Sequence, residues 1–245
     1  EYVRKAIGID SEVVLLNQSK IELGAAFFPS RDEDFDSRGN GTYLLGDRSR
    51  FRARYQTDRA KPFSYEINLY REDEQLSGAQ FATGVGANWR PRDDLNLGIG
   101  IGFIDRAGWL LWREGINFAT YRAREWRPEF SFEYFPDANH QIKLSTQWVG
   151  IRAKRLANYQ LQVDGAPLVA VDDSVASSED FAISNLSLQL RYRWQIAPLS
   201  DLFVVYTLNG RQDVVRDSFD NLFTDAFNDP LAEQLTIKLR YRFGS

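Results

Sequence analysis

Apolar and polar residues alternate with a period of two along most of this chain, which marks β-strands with one greasy and one polar face. From Asn185 to Ile196, Leu186, Leu188, Leu190, Tyr192, Trp194 and Ile196 are interleaved with Ser187, Gln189, Arg191, Arg193 and Gln195. Read on this period, the sequence predicts about ten strands. They lie near residues 19–28, 46–57, 62–72, 79–90, 94–105, 124–135, 139–150, 183–196, 199–210 and 232–243. One stretch departs from the pattern. In Asp217–Pro230, Phe219, Leu222, Phe223, Ala226 and Phe227 fall at helical spacing, with Asp217 or Ser218 able to cap the start and proline closing the end. This predicts a short amphipathic helix, packed as a lid on the rim of the sheet.

The connections alternate in length. Thr57–Pro62, Pro91–Asp94, Pro136–Asn139 and Ala197–Ser200 are tight and rich in the Pro, Asp and Asn that turns require. Residues 29–45, 106–123, 151–182 and 211–231 read as long connections, with a shorter link near 73–78. In an up-and-down sheet, alternate connections share one end, so the tight turns gather at one pole and the long loops at the other. That asymmetry is the habit of outer-membrane barrels, with short periplasmic turns and long outer loops. The expected fold is therefore all-β: an antiparallel up-and-down transmembrane β-barrel, with residues 1–18 as a periplasmic N-terminal segment and 19–243 as the barrel. The expected localisation is the bacterial outer membrane, with outer-membrane lipid as the surrounding partner.

Aromatic residues on the apolar parity sharpen this. Trp89, Trp126, Tyr134, Trp148, Trp194, Tyr241 and Phe243 cluster toward strand ends, where indole and phenol rings suit a membrane–water interface. The chain closes with a strand ending in LRYRF before Gly244, which resembles the C-terminal signal of outer-membrane barrels.

If the greasy parity meets lipid, the opposite parity lines a lumen. It carries Arg48, Arg50, Arg52 and Arg54, then Glu66, Glu125, Arg127, Glu129, Glu133, Lys143, Arg191, Arg193, Lys238, Arg240 and Arg242. Opposite charges on neighbouring strands attract, and unpaired ions in a low-dielectric interior are costly. These residues read as an interlocked packing of a narrow lumen rather than a catalytic set. Gly84, Gly86, Gly98, Gly100 and Gly102 share this parity and leave space for a plug, an inward loop or large side chains opposite.

Composition narrows the classes. The chain has 245 residues, of which 43% are apolar and 26% charged, with net charge −4, no cysteine and one histidine. A mean hydropathy of −0.42 and the lack of any long apolar run exclude a helical membrane protein, although not a barrel. The acidic balance gives no electrostatic reason to expect nucleic acid, and without cysteine there is neither a disulfide frame nor a thiolate metal site. The start at Glu1 without an apolar signal region reads as a mature chain or a fragment. Asp32, Asp34 and Asp36 invite a calcium loop, but Ser37 and Tyr43 occupy places where that pattern needs Gly and Glu. His140 follows a tight turn and so reads as a surface residue rather than a general base. No catalytic residue, metal or cofactor is expected.

Two stretches, RPEFSFEYFPDANHQIKLSTQWVGIRA (Arg127–Ala153) and NLSLQLRYRWQIAPLSDLFVVYT (Asn185–Thr207), resemble the C-terminal β-barrel domain of a bacterial outer-membrane family of unknown function. In that family the barrel usually follows a module similar to family 9 carbohydrate-binding domains, and it is usually longer. The resemblance implies an envelope protein with a glycan ligand, and a partner protein or missing N-terminal region. It carries no catalytic residues over. The function expected from sequence is a non-enzymatic membrane scaffold or transport component with a charged, largely filled lumen. A small porin-like channel and a soluble β-sandwich binding module stay open as alternatives.

Overall fold

The strands form where the alternation places them, and in a computed structural model that describes residues 5–174, 179–212 and 218–243 they build one dominant antiparallel sheet. In chain order the elements are β1 (Ile7–Val14), β2 (Lys20–Phe28), β3 (Arg31–Glu33), β4 (Tyr43–Leu45), β5 (Arg48–Gln56), β6 (Phe63–Asp73) and β7 (Ala79–Arg92). Then come β8 (Leu95–Glu114), β9 (Asn117–Asp137), β10 (His140–Gln160), β11 (Val169–Val171), β12 (Phe181–Ala197), β13 (Ser200–Gln212), helix α1 (Phe219–Asn228) and β14 (Ala232–Arg240).

The sheet runs β1-β2-β5-β6-β7-β8-β9-β10-β12-β13-β14, with β11 added beside β10 and β3 paired with β4 in a separate ribbon. Each step along the path is antiparallel. The expectation of a closed barrel of about ten strands is corrected here. Eleven strands follow one path, and the path is open, with β1 and β14 as exposed edges that run in the same direction. The sheet also begins earlier than expected: β1 lies inside the segment read as a periplasmic N-terminal extension and pairs with β2 from Ile7 opposite Phe27 to Val14 opposite Lys20.

Loop lengths segregate by end in part: the long links share one pole, but the short 74–78 link and the β8–β9 turn lie there too. The turns after β1, β5, β7, β9 and β12 all fall at one pole and are short. The links carrying β3 and β4, β11, and α1 fall at the other. One expected long loop, residues 106–123, is strand instead: β8 and β9 continue for 20 and 21 residues and meet in a tight turn in which Gly115 has φ +49°. Register shifts between Arg106 and Trp109, and between Arg155 and Ala157 on β10, interrupt the alternation there. A β-bulge adds one residue and reverses which face each later side chain meets. The pattern therefore looked like a loop.

Among the described residues, conventional cores occur toward the long-loop pole. Tyr43, Leu45, Leu110, Phe118, Leu161 and Leu168 form one, beneath the β3–β4 ribbon. Ala119, Tyr121, Ala123 and Ala153, packed by Trp109 and Phe181, form a second. The third lies under α1. Ser218 caps this helix by accepting from the Asn221 amide at 3.2 Å; the alternative cap Asp217 lies outside the described residues. Leu222 and Ala226 pack α1 onto Trp148, Ala182, Leu186 and Leu208. Gly210 permits the approach, because a Cβ there would collide with the carbonyl of Ala226. The lid thus sits on the apolar face of β10, β12 and β13, at the pole where the long loops gather.

Candidate functional site

Away from those three cores, the two faces of the central strands β6–β8 have exchanged their usual roles. On the apolar parity of the central strands, Leu69 is 54% exposed, Phe81 56% and Ile99 64%. On the charged parity, the side chains of Arg48 and Glu72 are only 11% and 18% exposed. A sheet of a soluble protein buries its apolar side; on β6–β8 the polar side is the more sheltered one, while Arg52 and Arg127 on neighbouring strands stay exposed.

The polar face is tied together across strands. Arg54 reaches Glu66 at 2.7 Å and Glu22 at 3.9 Å, while Arg59 shares Glu66 at 2.9 Å. Arg48 pairs with Glu72 at 3.7 Å, Arg52 with Asp10 at 2.9 Å, and Arg48 and Arg50 both lie over the ring of Phe28. Glu125 is buried and pairs with Arg127 on its own strand. Glu133 accepts from Gln141 at 2.7 Å. At the tight-turn pole, Asp201 is buried between Arg193 and Arg240 from the strands on either side. Arg242 donates its amide to Ser200 at 3.0 Å. Lys143 and Arg191 stand opposite one another in register, and Lys143 also faces Glu133; all three share this parity with Lys238, an exposed residue of the edge strand.

The glycines make room for β9. Gly98, Gly100 and Gly102 face Ser131, Glu129 and Arg127 in register, and a Cβ on Gly100 would fall 2.5 Å from Glu129 Oε1. Farther along the same face, the small residues Ser64, Gly86, Gly98, Ser131 and Ser145 leave a hollow of about 520 Å³ that Gln56, Arg59, Glu66, Asn88, Glu129 and Gln147 also line. The face carries ion pairs at β5–β6 and is open at β7–β10, beside the glycines that were expected to leave space there.

The expected interface aromatics divide into two rows. Trp89, Tyr134, Trp194, Tyr241 and Phe243 lie toward the tight-turn pole, with Trp89 half exposed. Trp126 lies toward the other pole, half buried, its ring 4.8 Å from Phe103. Trp148 is the exception and corrects the expectation: it is buried under α1, where its indole donates to Ser184 Oγ at 2.8 Å and Phe223 meets it edge-on at 5.5 Å. His140 sits at the tight-turn end of β10, with Nδ1 2.7 Å from the Tyr192 hydroxyl and its ring stacked against Trp194. The acidic stretch considered for calcium is engaged in loop contacts, Asp36 accepting from Gln75 at 2.6 Å.

Outside the sheet the loops are pinned by carboxylates. Asp164 accepts the amide and hydroxyl of Thr42 at 2.6 and 2.8 Å, and these bonds hold it below the usual carboxylate range. Burial pushes Glu74 above it.

Over residues 1–243 the sequence matches the family described as a domain of unknown function, DUF5916. The chain belongs to that family. Among solved structures, the DUF5916 chain is similar to one described as the NanC porin in a rhombohedral crystal form, with 11% identity, a TM-score of 0.30, and coverage of 97% of this chain and 93% of the other. No curated protein matches it. Sequence reasoning missed Arg59, Asp201 and Glu22 as members of the ion-pair network; only Asp201, two residues past a prolyl turn and between two arginine-bearing strands, carried a signal that could have found it.

Proposed function

We propose that this DUF5916 chain is the membrane-spanning sheet of an outer-membrane β-barrel and acts as a non-enzymatic scaffold or transport component. One observation carries the reading: on β6–β8 the uncovered apolar parity is more exposed than the polar parity behind it. Water does not stabilise such a surface, whereas hydrocarbon does. Tyr134 and Trp126 are eight residues apart on β9, roughly 26 Å of strand at ~3.3 Å per residue; at a tilt of about 40° that length covers about 20 Å of depth, most of an apolar band about 25 Å tall. On α1, Phe223 and Phe227 remain 42% and 47% exposed at the upper edge of that band, as an interfacial helix requires.

The test is extraction and reconstitution. The protein should need detergent to leave the membrane fraction and should float with phosphatidylcholine vesicles on a density gradient. A chain that stays soluble and monodisperse without detergent would remove the reading. The hollow on the polar face favours a second reading, a small porin-like channel. Planar-bilayer conductance separates the two: ion pairs at β5–β6 should hold a scaffold near the baseline, while a channel gives discrete steps. A glycan ligand for the outer loops rests on the family resemblance and is tested by glycan-array binding of the reconstituted protein.

A further inference from the structure

Where the apolar band ends on β9 and β10, the next side chains on the same face are basic. Arg124 stands directly opposite Arg152, and Arg122 opposite Lys154. Like charges facing one another across a ladder destabilise it. Three of the four are exposed, and Arg152 is half buried with its guanidinium 5.5 Å from the ring of Phe219 on α1. No carboxylate forms an ion pair with any of them among the described residues. Asp105 stands opposite Arg124 on β8 and offsets a single charge. Immediately below, on the same face, is an apolar hollow of about 480 Å³ lined by Val85, Ile99, Ile101, Phe130, Trp148 and Phe223. Pro128, at its edge, is four positions along the strand from Arg124, and Trp148 is four from Arg152; that is about 13 Å of strand.

We propose that this corner docks a phosphate-bearing lipid, with an acyl chain in the hollow beneath α1 and the phosphate held by Arg122, Arg124, Arg152 and Lys154. The inference rests on the membrane reading above. The fit is one of chemistry: about 13 Å of strand beyond a dry trough stands a cluster of donors whose mutual repulsion Asp105 offsets only in part and a bound anion relieves. Arginine supplies the forked donors that phosphate oxygens accept. A basic cluster at this height meets the headgroup layer, whereas free phosphate has no use for the trough.

The experiment uses the full chain reconstituted in phosphatidylcholine vesicles, with brominated lipids as quenchers of tryptophan fluorescence. Brominated phosphatidic acid should quench at a lower mole fraction than brominated phosphatidylcholine, by roughly tenfold. The R122Q/R124Q/R152Q/K154Q variant should lose that preference. The R122Q/K154Q variant, altered only at exposed positions, should lose part of it, and K61Q at the opposite pole none. Equal quenching by both lipids in the parent chain, or a preference kept in the fourfold variant, would overturn the proposal. Abolition of the preference by millimolar inorganic phosphate would overturn the assignment to a lipid. If brominated phosphatidylcholine itself fails to quench, the membrane reading falls first, and the two failures are told apart.

Discussion

Trp148 on β10 and Ser184 on β12, diagonal neighbours in the ladder, are joined by a buried 2.8 Å hydrogen bond from the indole to the hydroxyl. The same hydroxyl donates to the carbonyl of Leu222 at 2.8 Å. One small side chain thus couples sheet to helix. Replacing Ser184 with Ala leaves a buried indole N–H without an acceptor, which costs about 1–3 kcal/mol. The S184A variant should show a lower denaturation midpoint and faster proteolysis of α1. Ser184→Thr, which keeps the hydroxyl, should recover most of the loss.

Ile99 decides between lipid and water. At 64% exposure it would tolerate Arg at little cost on a soluble surface. Facing hydrocarbon near mid-depth, the I99R substitution should cost ~2–4 kcal/mol. Folding equilibria in phosphatidylcholine vesicles, read by tryptophan fluorescence, give the value. A change within a few tenths of a kcal/mol would count against a lipid-facing band.

Gly100 and Glu129 form a steric pair. A methyl group at Gly100 would press on the carboxylate facing it, so G100A should destabilise by about 1–3 kcal/mol. Glu129→Ala removes the obstacle. The double variant should be more stable than the sum of the single effects allows, a coupling that a double-mutant cycle measures directly.

Glu74 gives a pH dependence outside the membrane band. Burial raises its folded pKa, and its Oε1 has no hydrogen-bond partner. A carboxyl with a raised folded pKa binds its proton more tightly in the native state, so stability falls as pH rises through that pKa and is fully present below the unfolded value. The 74–78 link should therefore exchange its amide protons more slowly, after correction for intrinsic rates, near pH 4, below the unfolded carboxyl range, than near pH 7.5. Glu74→Gln should flatten that dependence.

Most of the sheet was legible because each central strand keeps a strict alternation, as in Phe63, Tyr65, Ile67 and Leu69 against Ser64, Glu66 and Asn68. The inverted burial was legible for the same reason, once loop lengths were read by pole. What escaped had physical causes. Bulges at Arg106–Trp109 and Arg155–Ala157 reversed the parity and hid the extended hairpin. On β1, Ser11 breaks the apolar row of Ile7, Ile9 and Val13, so the alternation that marks a strand is too short there to read. Trp148 and Trp89 look alike in sequence; only the docking of α1, a tertiary event, buries one and leaves the other exposed.

The edges β1 and β14 point the same way because ten antiparallel steps separate them. Zipping them together would create a parallel seam, alone in the sheet. A cylinder with every neighbour antiparallel needs an odd number of added strands to bridge the gap, whether from a companion molecule or from other polypeptide. Cross-linking cysteines placed at Asp10 and Lys238 would reveal which solution nature uses: a direct bond reports the parallel seam, and silence together with a larger assembled species reports borrowed strands.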